Sequence, residues 1–329
     1  MLPEITLLRA AGIVLVVLGH ADIFGQQAPY VYPVAEKIIY SFHMPLFIFI
    51  SGFVFMYTNQ HKGSFNFAAF IRKKISRLLV PAFLVLTLAF PLRAMLAYVK
   101  GAGVDSYSLA NYFKMFFLKE YLPIEFFWFI FVLFDIFLLA KILLHCIRKK
   151  YLALLVSLLF MTMNLFPVDI DLFYLKYISA YLIYFWLGCL CCFAASGKRL
   201  IHLFPGGNVS LLMATALLFL LLYLNLTGKR TGIWELACAL SGICMSYSFV
   251  RYLNQFQLAY LRLIGKYTFQ IFLFSWFFHR LVETIMFQKL QLMFWVTYPT
   301  SVALAIAGPL LLTKLVLEKS PKMKSLFGV

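Results

Sequence analysis

The chain has 329 residues, of which 64% are apolar and 12% charged, against roughly 45–50% and about 25% in an ordinary soluble domain. A formal net charge of +17 would suit nucleic acid, but Lys and Arg gather in short breaks between apolar runs rather than along one exposed face. Nucleic-acid binding is therefore excluded in favour of topology signals.

Apolar runs of the ~20 residues needed to cross a hydrocarbon core recur from residue 5 to residue 317, leaving no room for a soluble domain. Residues 1–329 read as a single all-α domain, a polytopic integral membrane helical bundle of about ten transmembrane helices. Apolar length and Gly, Pro and charge breaks place them near 5–24, 38–58, 77–98, 124–147, 151–168, 172–195, 209–226, 232–250, 266–287 and 291–317. The segment 108–120 carries aromatics and charges on opposite sides and is expected to lie at the interface. No Lys or Arg precedes Arg9 and no small-residue cleavage site follows the first apolar run, so the first helix is expected to remain as an anchor.

Every second connection is basic: Lys62, Arg72, Lys73, Lys74 and Arg77; Arg148, Lys149 and Lys150; Lys198 and Arg199; Arg251, Arg262 and Lys266; then the tail with Lys319, Lys322 and Lys324. The alternate connections are charge-poor or acidic, as at Asp169 and Asp171, with Lys229 and Arg230 as an exception. By the positive-inside rule both termini are cytoplasmic. Six cysteines at 146, 189, 191, 192, 238 and 244 lie in or at the ends of apolar runs without zinc-ligand spacing, and no metal site or disulfide framework is expected.

Ionisable groups inside membrane helices cost several kcal/mol unless paired or hydrated, so they mark candidate functional sites. Arg9 and His20 are eleven residues apart, which is three turns plus about 20° and roughly 16 Å of rise. One face of the first helix would thus carry a polar path with Arg9 toward the cytoplasm and His20 toward the outside. The alternative is that Arg9 snorkels to headgroups and His20 caps its helix, which ends at Asp22 and Gly25.

The second helix opens with "IYSFHMPLFIFISGFVF" over 39–55, bringing His43 to the depth of His20. Pro45 suits a first helical turn, where its missing N–H is harmless, and Ser51-Gly52 suits close helix contact. Two neutral imidazoles at one level can serve as general base and partner, or His43 can make an interfacial hydrogen bond. In "FIRKKISRLLVPAF", 70–83, Lys74 and Arg77 are one turn apart and can present paired donors to phosphates, or the cluster is a topology determinant alone.

Arginine, ten residues and histidine in the first helix, "FHMPLFIFISGF" in the second and the basic stretch ending "SRLLVP" together resemble the membrane acyltransferase 3 family. The FHMPLF wording is most similar to the fucose 4-O-acetylase type and related surface-polysaccharide O-acetyltransferases. "FFWFIFVLF" (126–134) and "LIGKYTFQIFLF" (263–274) resemble further segments of that group. The resemblance implies a multi-pass enzyme of the bacterial inner membrane that moves an acetyl or other small acyl group from acyl-CoA to a sugar hydroxyl of an envelope or lipid-linked polysaccharide. By carry-over, His20 is the catalytic histidine, and Arg9 with Lys74 and Arg77 lies on the donor path. The physical reading adds His43 as a candidate catalytic partner and Arg72 or Lys73 as a further phosphate contact. Acyl-CoA is a co-substrate rather than a bound cofactor.

The chain departs from the family where many relatives pair two arginines: Lys74 stands before Arg77, a point charge in place of a bidentate fork. Where relatives often end the late motif with histidine, Ser275 stands here and His279 follows one turn on; neither is assigned a catalytic role. Ser51 or Trp128 could reach a developing oxyanion if the helices pack suitably. Tyr30, Tyr32 and Tyr40 surround the loop between the histidines and suit sugar rings or interfacial anchoring.

A glycan transporter or flippase would share the many helices and intramembrane charges, but no inverted repeat or matched pair of broken helices is visible. A structural subunit of a synthase complex is the third class. Membrane lipids, acyl-CoA and a polysaccharide or lipid-linked sugar are the expected partners; homo-oligomerisation and association with glycan-assembly proteins stay open.

Overall fold

A computed structural model describes residues 3–21, 28–58, 66–99, 107–146, 150–194, 206–227, 232–256 and 258–329. The helices run in chain order α1 (Pro3–Gly19), α2 (Val31–Tyr40), α3 (His43–Tyr57), α4 (Phe67–Lys74), α5 (Val80–Val99), α6 (Leu109–Lys114), α7 (Trp128–Cys146), α8 (Lys150–Leu165), α9 (Leu175–Ala194), α10 (Asn208–Thr227), α11 (Gly232–Leu253), α12 (Ala259–Lys266), α13 (Thr268–Val282), α14 (Phe294–Leu315) and α15 (Pro321–Phe327). A π-helical turn at Ile75–Leu79 joins α4 to α5, and no strand occurs among the described residues. Lys62, Arg148, Lys149, Lys198, Arg199, Lys229 and Arg230, expected in basic connections, lie outside the described residues, as do Asp22 and Gly25.

Among the described residues, seven helical stretches are long and apolar enough to cross a membrane: Val31–Tyr57, Phe67–Tyr98, Glu125–His145, Leu172–Phe193, Asn208–Thr227, Gly232–Phe256 and Phe294–Lys319. Of the other three expected spans, α1 and α8 are helical but shorter, at 17 and 16 residues, whereas the 15-residue α13 runs on without a break into a π-helical stretch at Glu283–Lys289. At 1.5 Å per residue α1 covers about 25 Å, short of a ~30 Å hydrocarbon core. The segment near 108–120 holds only the six-residue α6, capped where the Asn111 N–H donates to Ser108 Oγ at 3.3 Å, followed by turns.

The core gathers around α1, whose Leu8, Ala10, Ile13 and Val17 are fully enclosed, between α3, α11, α12, α13 and α14. The closest crossing pairs α3 with α9. A Cβ on Gly52 would overlap the Phe185 carbonyl oxygen, and one on Gly188 would overlap that of Phe49, so two backbones meet through reciprocal glycines.

The break between α2 and α3 has a local cause. Pro45 has no N–H to give the Ser41 carbonyl four residues earlier, so α3 begins instead with the Leu46 N–H donating to Phe42 O at 2.9 Å. Phe42 leaves the helical region at φ −143°, ψ −16°, and its ring fills the notch at Gly242 of α11. This break sets His43 at the first position of a new helix.

Candidate active site

The break at 41–42 and the end of α1 bring two histidines together. His20 follows the last residue of α1, its N–H still bonded to Val16 O at 3.0 Å. Its ring centre lies 6.0 Å from that of His43 and 5.4 Å from that of Tyr40, and it stacks on Phe126 at 4.6 Å. The expected juxtaposition of His20 and His43 is therefore present.

Hydrogen bonding orients both rings. His43 Nδ1 lies 2.8 Å from the Ile39 carbonyl; a carbonyl only accepts, so Nδ1 carries the proton and Nε2 the lone pair. His20 Nδ1 lies 2.8 Å from Tyr40 Oη, which is itself 3.3 Å from the Gly19 carbonyl. When Tyr40 donates to Gly19 O, His20 Nδ1–H donates to Tyr40 and His20 Nε2 presents a lone pair. Among the described residues both Nε2 atoms are buried without a hydrogen-bond partner. Two proton acceptors held open in one site are suited to receiving protons from a bound hydroxyl compound.

A third histidine joins them. His279 in α13 is 2% exposed, with Nδ1 2.7 Å from Ser301 Oγ in α14. Its ring abuts the Val17 carbonyl of α1, and it lies within electrostatic reach of His20 together with His43 and Lys119. Tyr298 in α14 also donates to Leu18 O at 3.1 Å. Thus α13 and α14 grip the end of α1 that carries His20. Ser301 carries no motif, Tyr40 reads in sequence as a sugar platform or interfacial anchor rather than as a partner of His20, and His279 reads as a last-turn residue beside Arg280.

On the other side lies a cavity of ≈ 350 Å³ lined by Arg9, Ser51, Lys74 and Arg77, with Lys73 and Lys266 added. Four of the singled-out residues thus share one space. The Lys74 ammonium sits 3.2 Å from the centre of the Phe137 ring and 5.4 Å from that of Phe70, a pairing that holds an aliphatic cation at a fixed place. The π-helical turn right after Lys74 widens the helix there and carries Arg77. Arg72 is exposed on α4 and does not line the cavity.

Ser51 donates its hydroxyl to Phe47 O at 2.8 Å, so its proton is committed to its own helix. Trp128 stacks on Tyr177 at 4.6 Å and lies 5.4 Å from Tyr181; it lines neither the basic cavity nor the histidine cluster.

The basic cavity and the histidines are separated by one layer of aromatic rings. Phe129 and Phe272 line the cavity, and Phe272 lies 5.1 Å from Phe126, the ring that stacks on His20. The C-terminal segment closes the cavity from beneath: Gln270 Nε2 donates to Phe327 O at 2.9 Å, Phe327 packs on Phe274 at 5.5 Å, and Gly328 reaches the lining. The basic tail expected from sequence is thus partly a wall of the site.

A membrane-embedded bundle with a buried histidine cluster, an aromatic layer and a cationic cavity along one helix has the parts that acyl transfer needs. No curated protein and no solved structure matches the chain. The family model described as an acyltransferase domain matches residues 2–314. With that match over nearly its whole length, the chain belongs to the acyltransferase 3 family of multi-pass membrane acyltransferases.

Proposed function

We propose that the protein moves an acetyl or similarly small acyl group from acyl-CoA on the cytoplasmic side to a hydroxyl of an envelope saccharide, within a bacterial inner membrane. The observation that supports this most directly is the placing of Arg9 and His20 at opposite ends of one helix face, with Lys74 and Arg77 beside the first and two unpartnered imidazole nitrogens at the second. The roughly 16 Å between Arg9 and His20 along α1 calls for a substrate with an anionic head and a long narrow reactive arm. Acyl-CoA has that shape.

In this reading Lys73, Lys74, Arg77 and Lys266 hold the CoA phosphates. The arm runs past Phe47, Phe129 and Phe272 to the aromatic layer below His20. The acceptor hydroxyl gives its proton to His20 Nε2 as its oxygen attacks the thioester carbon; the carbon–sulfur bond then breaks, and the proton passes to the departing thiolate. His43 Nε2 accepts from a second hydroxyl and so orients the acceptor.

The direct test is the purified chain in lipid nanodiscs with radiolabelled acetyl-CoA and de-O-acylated surface glycan from cells carrying the gene. Label on the glycan is the expected result. No transfer, together with reduced glycan outside gene-deleted cells whose remaining glycan keeps its esters, would sink the reading in favour of transport. The double variant Lys74→Ala, Arg77→Ala removes two charge-assisted contacts of about 1.5–3 kcal/mol each. It is expected to raise the KM for acetyl-CoA at least tenfold, with kcat at saturation changed much less.

A further inference from the structure

We infer that the acceptor binds in a cleft formed by the end of α5, residues 107–125 and residues 171–177, as an uncharged saccharide chain rather than a phosphate-bearing lipid-linked sugar. This rests on the acyltransfer reading above and names the acceptor's docking surface.

The cleft has a volume of ≈ 780 Å³, within the ~300–1,000 Å³ typical of ligand sites, and enough for about two or three sugar rings. Tyr107, Tyr121 and Tyr177 line it, each half-buried, giving flat apolar faces that also carry a hydroxyl. Tyr177 stacks on the Trp128 ring and has Lys119 Nζ 5.2 Å from its centre, Tyr121 has Lys114 Nζ at 5.1 Å, and Tyr107 meets Phe90 edge to face at 5.6 Å. Aromatic rings held in place by such neighbours suit the apolar faces of sugar rings.

The cleft lies beside the ring that packs on His20. Glu125 is on its wall, and the next residue, Phe126, stacks on His20; Lys119, also on the wall, lies within electrostatic reach of His20. Among the described residues, no lining tyrosine and no lining charged side chain hydrogen-bonds to the protein, so the polar groups of the cleft are available to a ligand. The second cavity beside Tyr40, of ≈ 240 Å³, differs in this respect. There Lys37 Nζ is bound to Asn225 O at 2.6 Å and Asn164 Nδ2 to Ala180 O at 2.5 Å, which leaves Asn164 Oδ1 as its buried acceptor without a partner.

Charge and neighbourhood select the ligand class. A phosphate seated on this lining would face Glu120, Glu125 and Asp171 against Arg93 and Lys119, whereas hydroxyl groups find both donors and acceptors. The adjoining groove is lined by phenylalanines, including Phe83, Phe117 and Phe173, and could pass for a lipid-tail channel. However, Asp135 also lines it and would set a carboxyl against the hydrocarbon.

The test uses the whole chain in nanodiscs with acetyl-CoA and two acceptors: free de-O-acylated glycan fragments and polyprenyl-pyrophosphate-linked saccharide. Wild-type protein is expected to acylate the free fragments with a KM that changes less than about twofold between low and high salt. Tyr121→Ala should raise that KM by about tenfold, the scale of losing one aromatic platform, while Tyr121→Phe keeps it near wild type and acetyl-CoA binding is unchanged in both. Transfer confined to the lipid-linked acceptor, a KM that climbs steeply with salt, or a Tyr121→Ala protein of unchanged KM would each overturn the cleft assignment alone. Failure of wild type to acylate either acceptor would instead overturn the acyltransfer reading and the cleft with it.

Discussion

Replacing His20 by alanine is expected to lower acyl transfer by about two to four orders of magnitude, the range for loss of a general base, while the protein remains in the membrane in normal amount. Both halves follow from the position of His20. It lies just beyond the last residue of α1, so truncation removes a ring at a helix end rather than from the fully enclosed face of Leu8, Ile13 and Val17. Tyr40 keeps the Gly19 carbonyl as its acceptor. His20→Gln is expected to fail equally, because an amide can restore a contact to Tyr40 but cannot accept a proton at neutral pH. Acetyl-CoA binding should survive in both variants, since the basic cavity lies beyond the Phe126–Phe272 layer. Measured initial rates in nanodiscs, normalised to folded protein, check the effect. Retention of more than about a tenth of wild-type turnover in either variant would remove His20 from the base role.

The parts legible in sequence were those that violate the chemistry of a membrane interior. Arg9, His20, His43, Lys74 and Arg77 stand out because charge and imidazole are rare in apolar helices, and helical spacing alone places Arg9 and His20 along one face. His279 violates the same rule but adjoins Arg280 near the end of α13, where a basic residue is ordinary. Its role appears only when α14 supplies Ser301 and α1 the Val17 carbonyl. The tyrosine cleft was illegible for a different reason: its walls come from segments separated by as many as 84 positions, from Arg93 to Tyr177, and no periodicity records such a meeting. The C-terminal wall was hidden because Lys319, Lys322 and Lys324 read as a topology signal, while the informative contacts belong to Phe327 and Gly328.

Gly52→Leu is expected to lose most of the folded protein, not only its activity. A side chain at position 52 meets the Phe185 carbonyl oxygen, which is helix backbone and cannot swing aside, so α3 and α9 must separate. Overpacking costs about 1–3 kcal/mol and occasionally more; with backbone as the obstacle the upper end applies, a large part of the ~5–15 kcal/mol that holds a typical protein. The separation would also break the contact of Cys189 Sγ with Gly52 O at 3.4 Å and move Ser51 and His43, which ride on the same helix. Size-exclusion profiles and melting in mild detergent read the loss directly, with Gly52→Ala changed in the same direction by less. The reciprocal contact at Gly188 makes a sharper prediction: Gly188→Leu alone should be as damaging, yet added to Gly52→Leu it should cost far less than the sum of the two, because the helices are already apart and the same contact cannot be lost twice. Additive losses would mean that the two glycines do not share one crossing.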